Sequence, residues 1–82
     1  ETLGDLARYD EANRTELLHT LEVFFRENAN ASRTARALYV HRNTLAYRLQ
    51  RIAEITGASL EDPQARLALQ LALLIHRLGP RP

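Results

Sequence analysis

Apolar positions along this chain recur at helical spacing. Leu17, Leu21 and Phe24 lie three or four residues apart, Leu18 and Phe25 widen the stripe, and the series runs on to Asn28. Asn13, with Glu16 three residues later, has the pattern of a capping box, so the spacing predicts a helix over 14–28. The run Asn28-Ala-Asn-Ala-Ser32 breaks it, and either Asn30 or Ser32 can cap a short helix ending at 38 or 39. After a tight connection a longer helix is predicted over 42–56, with Gly57 placed to end it as a left-handed cap. Asp62-Pro63 supplies an N-cap and a proline at the first helical position, and Gly79 and Pro80 stop that last helix near 78. Leu3, Leu6 and Ala7 suggest a short leading helix despite Gly4 inside it. No segment alternates as a strand would, and no internal repeat is present. The expected fold class is all-α, a small bundle of four or five helices.

The last helix carries more apolar surface than one contact needs. Leu67, Leu71, Leu74 and Leu78 form one stripe, while Leu69 and Leu73 project from nearly the opposite side. A surface helix requires a single apolar face. The second face is covered either by the leading segment 3–9 or by another subunit, which makes a homodimer through the last helix one of two expectations.

Length and composition narrow the class. Eighty-two residues make a single domain, 1–82, with too little chain for two cores. The absence of cysteine excludes disulfides, thiolate metal sites and a cysteine nucleophile. The longest unbroken apolar run, Leu71 to Ile75, falls far short of the roughly 18 residues a membrane span needs, and no signal peptide opens the chain. A soluble, cytoplasmic protein without membrane contact is expected. Glu1 stands where a methionine would begin a complete protein, which points to a fragment of a longer chain. The net charge of +1 conceals an asymmetry. Five arginines and no acid lie between Asn28 and Ala53, a charge of +5, against −4 for the remainder. Such a basic third either serves polyanion binding or is a solvated face.

The basic third coincides with Asn30 to Arg51, where two short helices joined by three or four residues suit a helix-turn-helix. Ala35 is small where the first helix must approach the second, and Leu38, Val40, Leu45 and Leu49 are apolar where the two lock together. At about 100° per residue, Leu45, Leu49, Ile52 and Thr56 share one stripe, and Asn43, Thr44, Tyr47, Gln50 and Arg51 lie opposite. Arg42 and Arg48 flank the apolar stripe. This is the polarity of a recognition helix, apolar towards its bundle and hydrogen-bonding towards the major groove.

The stretch Leu38-Tyr-Val-His-Arg-Asn-Thr-Leu-Ala-Tyr-Arg-Leu49, preceded by Thr34-Ala35, resembles the C-terminal helix-turn-helix of purine-catabolism and sugar-diacid regulators, the PucR/CdaR type. Leu18 to Leu21, Ile52 to Gly57 and the Leu/Ala-rich last helix fit the same domain. More distantly the chain is similar to Fis and NtrC-type output domains, which share the Arg-x-Thr-Leu pattern. Tyr39 departs from the generic motif, in which a glycine allows a left-handed backbone; here either the residue is strained or the turn differs. The resemblance implies a Fis-like helix-turn-helix, an output domain of a bacterial transcription regulator, and an effector-sensing region N-terminal to this fragment.

The candidate DNA contacts are Arg33, His41, Arg42, Asn43, Thr44, Tyr47, Arg48 and Arg51. Five of them have a plainer alternative. Thr44 and His41 can simply cap the helix start, and Tyr47 can pack beside the preceding helix. Arg48 can pair with an acid of the 14–28 helix, and Arg33 and Arg36 can be solvated. His19, His41 and His76 show no metal-ligand spacing, and no triad or glycine-rich phosphate loop is present, so neither enzyme chemistry, cofactor nor metal is expected. The expected function is sequence-specific binding of double-stranded DNA. The alternatives are a helical protein-interaction module and an architectural DNA binder of low specificity.

Overall fold

The computed structural model describes residues 2–79, which form five helices: α1 (Thr2–Asn13), α2 (Leu17–Arg26), α3 (Ala31–Leu38), α4 (Arg42–Thr56) and α5 (Pro63–Leu78). The bundle is all-α. The boundaries of α4 and α5 and their caps agree with the sequence reading. Gly57 is left-handed at φ 73°, and the Asp62 carboxylate accepts from the Gln64 amide ahead of Pro63. Asn30, rather than Ser32, caps α3 by accepting from the Arg33 amide at 2.9 Å. Gly79 follows α5, whereas Pro80 lies outside the described residues.

The first third of the chain departs from expectation. The leading helix extends to Asn13, and α2 begins at Leu17 rather than 14. No Asn13/Glu16 capping box forms: the Asn13 side-chain Nδ2 donates back to the Tyr9 carbonyl at 3.0 Å, closing α1 instead of opening α2. The cap of α2 comes from the preceding helix. The Asp10 carboxylate accepts from the Leu17 and Leu18 amides at 2.8 and 2.9 Å and from the Thr15 hydroxyl. A carboxylate at a helix N-terminus satisfies orphan N–H groups and complements the helix dipole at once. Asn28 sits beyond α2 in a left-handed conformation, φ 59°.

The core joins Leu3 and Leu6 of α1, Leu17 and Leu21 of α2, Ile52 of α4 and Leu73 of α5. Helix α4 lies against α1, α2 and α3 together. Leu69 and Leu73 are buried, so α1 covers part of the second face of α5 as one of the two expectations had it. The stripe at Leu67, Leu71, Leu74 and Leu78 is more than half exposed, and Ile75 broadens it.

Candidate nucleic-acid interface

Helix α3 ends at Leu38 in a tight hydrogen-bonded turn. The Val40 amide reaches the Ala35 carbonyl at 3.0 Å and the Tyr39 amide reaches Arg36 at 3.1 Å, the two bonds of a Schellman motif. The motif needs a left-handed residue, and here Tyr39 supplies it at φ 58°, ψ 42°. The strained alternative therefore holds for Tyr39, whose side chain is 95% exposed and gains no packing in return. The reversal leaves three residues, 39–41, between α3 and α4. His41 then caps α4, its Nδ1 accepting from the Asn43 amide at 3.0 Å.

The two helices meet through buried Ala35 and Thr34 on α3 and buried Leu45 on α4. Thr34 has no free polar atom to offend the interface, because its hydroxyl donates to the Asn30 carbonyl at 2.7 Å. Ile52 continues the buried side of α4; Leu49 and Thr56 on the same stripe are half-buried. Turned the other way are Asn43, Thr44, Tyr47 and Gln50, all exposed, and Arg42, exposed as well, flanks the stripe at the first turn. Four polar side chains thus occupy the open face of a helix about 22 Å long, given 1.5 Å per residue.

Arg48 and Arg51 are held by the bundle. Arg48 is half-buried and donates to the Thr20 hydroxyl of α2 at 3.2 Å, so the acid partner of the plainer alternative is replaced by a neutral one. Thr20 is itself fixed by donating to the Glu16 carbonyl. Arg51 donates from Nε to the Tyr9 hydroxyl at 3.1 Å and from Nη1 to Glu54 at 2.9 Å, and its guanidinium also lies 5.2 Å from the Tyr9 ring centroid. The Tyr9 hydroxyl and then the Glu54 carboxylate raise the Arg51 pKa above its ordinary value. Arg33, on α3, pairs with Glu27 across 3.5 Å and remains largely exposed; Arg36 is exposed as well. Asn43, Thr44 and Tyr47 therefore share the outer face of α4, His41 and Arg42 stand at its start on the α3 side, Arg48 and Arg51 border it towards the α1–α2 turn, and Arg33 belongs to the neighbouring helix. Sequence spacing did not reveal Thr20 and Tyr9 as the supports of Arg48 and Arg51, since they stand 28 and 42 residues away. Among the described residues no group of histidines and carboxylates could hold a metal, and no helix is long and apolar enough to cross a membrane.

Comparison with known proteins gives this arrangement a family. Over 77 residues the chain is 46% identical to the purine catabolism regulatory protein of Bacillus subtilis, covering 94% of this chain and 14% of that protein. It is 46% identical over 74 residues to the carbohydrate diacid regulator of Escherichia coli, covering 89% and 19%. A crystal structure of a regulator of polyketide synthase expression from Bifidobacterium adolescentis superposes with a TM-score of 0.73 at 38% identity, covering 79% of this chain and 26% of that one. The chain thus spans less than a fifth of the curated relatives' length. Residues 17–75, from the start of α2 to the last turns of α5, match the model of the PucR C-terminal helix-turn-helix domain, and the chain belongs to that family.

Proposed function

We propose that this domain binds double-stranded DNA sequence-specifically as the output module of a longer transcription regulator, with α4 in the major groove. The observation that carries the reading is the two-sidedness of α4: Leu45 and Ile52 are sealed in the bundle, while Arg42, Asn43, Thr44 and Tyr47 stand exposed together at its N-terminal half. A recognition helix presents its N-terminal residues to base edges in this way. Phosphate contacts from the arginines supply most of the affinity and the α4 side chains the discrimination. The B. subtilis and E. coli relatives are named as regulators, this chain covers a small share of their length, and the matched family domain is C-terminal, which supports a further region N-terminal to the domain, in the role of effector sensor. The reading requires no catalytic group, cofactor or membrane, and it places the protein in the cytoplasm with the DNA. Selection of bound sequences from random duplexes tests it. A single enriched motif is expected; recovery of unenriched DNA would favour an architectural role, and no recovery would favour a protein-interaction module.

The exposed α5 stripe fits a second copy of the chain. Leu67, Leu71, Leu74 and Leu78 repeat at alternating steps of four and three, the spacing of a two-helix seam. Glu61 and Asp62 stand at the start of α5 and His76 and Arg77 at its end, so an antiparallel pair sets unlike charges against one another. Sedimentation should show a dimer that Leu71→Glu converts to a folded monomer. A wild-type monomer at high micromolar concentration would rule that interface out. Leu69 and Leu73 are unsuitable probes because they are core residues.

A further inference from the structure

Helix α4 does not face solvent along its whole outer side. The turn between α1 and α2 comes up beside it and borders an open cleft of about 500 Å³, walled by Tyr9, Arg14 and Thr15 on one side and Thr44, Tyr47, Arg48 and Arg51 on the other. Three arginines from two separated parts of the chain line it beside one acidic residue, Glu16, while a second carboxylate, Glu54, pairs with Arg51 from outside the cleft. The walls are fixed by bonds already described. Thr20 holds one nitrogen of Arg48, and Tyr9 and Glu54 hold two of Arg51. An arginine has five N–H donors, so each keeps others for a further acceptor. The Tyr9 hydroxyl accepts from Arg51, which leaves its proton available for an acceptor. Arg14 is exposed and left-handed at φ 55°, the point where the chain turns out of α1. The Thr15 amide ties that turn to the Asp10 carbonyl at 3.2 Å, and the Asp10 carboxylate ties it to α2.

A concave site lined by arginines, hydroxyls and one end of the recognition helix has the donors for an oxygen anion with several acceptor atoms. We propose that this cleft seats a phosphate of the DNA backbone alongside the groove that α4 enters, with Arg14 closing over it from the α1–α2 turn. The inference rests on the DNA-binding reading above. It makes α1 part of the binding surface although Tyr9, Arg14 and Thr15 lie outside the stretch 17–75 that defines the family match. Bidentate donation by arginine to phosphate is the strong, oriented form of such a contact.

Removal of Arg14 tests the seat. Arg14→Ala and Arg14→Gly are titrated against two duplexes, one carrying the selected motif and one of random sequence, over a salt series. The glycine variant keeps the left-handed turn unstrained while removing the guanidinium. A phosphate contact carries no sequence information, so both duplexes should lose affinity equally, roughly tenfold at 0.1 M salt, with the salt slope shallower by about 1. Arg26→Ala, an equal loss of charge in the cleft between α2 and α5, should change the slope far less. Unchanged affinity and slope in both Arg14 variants, with wild type binding normally, overturns the seat and leaves the DNA-binding reading standing. Loss on the selected duplex alone overturns it too, because Arg14 would then read sequence. Failure of the wild type to bind either duplex sinks both.

Discussion

Leu45→Ala should lower the stability of this domain by about 2–5 kcal/mol, the cost of deleting buried methylenes and leaving a cavity. Leu45 is 1% exposed and sits where α4 meets α3, so no solvent replaces the lost contacts. A domain of this size has roughly 5–15 kcal/mol in total, and each kcal/mol moves its melting midpoint by about 4–8 °C. A fall of about 10 °C or more is therefore expected by circular dichroism. Leu71→Ala, melted at a concentration below dimerisation, is the matched control: the same atoms leave a side chain that is 54% exposed, and the midpoint should stay within a few degrees of wild type. Leu49→Ala belongs between them, since Leu49 is half-buried. An unchanged midpoint for Leu45→Ala, together with lost DNA affinity, would move Leu45 from the core to the interface and dismantle the assigned orientation of α4.

The second large effect separates binding from folding. Asn43→Ala and Thr44→Ala alter exposed side chains at the start of α4, so their melting curves should match wild type. Their affinity for the selected duplex should fall by about 1–3 kcal/mol, roughly five- to 150-fold, with preference relaxed at one base position each. Arg42→Ala should weaken binding to all sequences and reduce the salt slope by about 1, the signature of a phosphate contact. Competition with random duplex distinguishes the two classes. Wild-type affinity in all three variants would show that another face of the domain meets the DNA.

The parts of this molecule that were legible in the sequence are those whose causes are local. Gly57, Asp62-Pro63 and Asn30 act within one turn of their own helix, and α4 shows its buried and open sides in the order of its residues. The Asn13/Glu16 reading failed because the same residues can end a helix as readily as begin one. What decided it was Asp10, a carboxylate seven and eight residues ahead of the amides it caps. The two faces of α5 were visible, but their spacing left open whether the leading segment or another subunit covers the Leu69/Leu73 side. The partners of Arg48 and Arg51 come from α2 and α1, and only the packing of those helices against α4 brings them near. The strain at Tyr39 was visible as an alternative and became definite with the backbone.

The most direct test of the central claim is to follow backbone amide NMR shifts of the labelled domain as the selected duplex is added. The largest changes are expected at residues 41–51, with a second group at 14–15 where the α1–α2 turn meets the DNA backbone, and little change along Leu67, Leu71 and Leu74 at concentrations below dimerisation. Perturbation centred on α5, with the amides of Arg42, Asn43 and Thr44 unmoved, would contradict it.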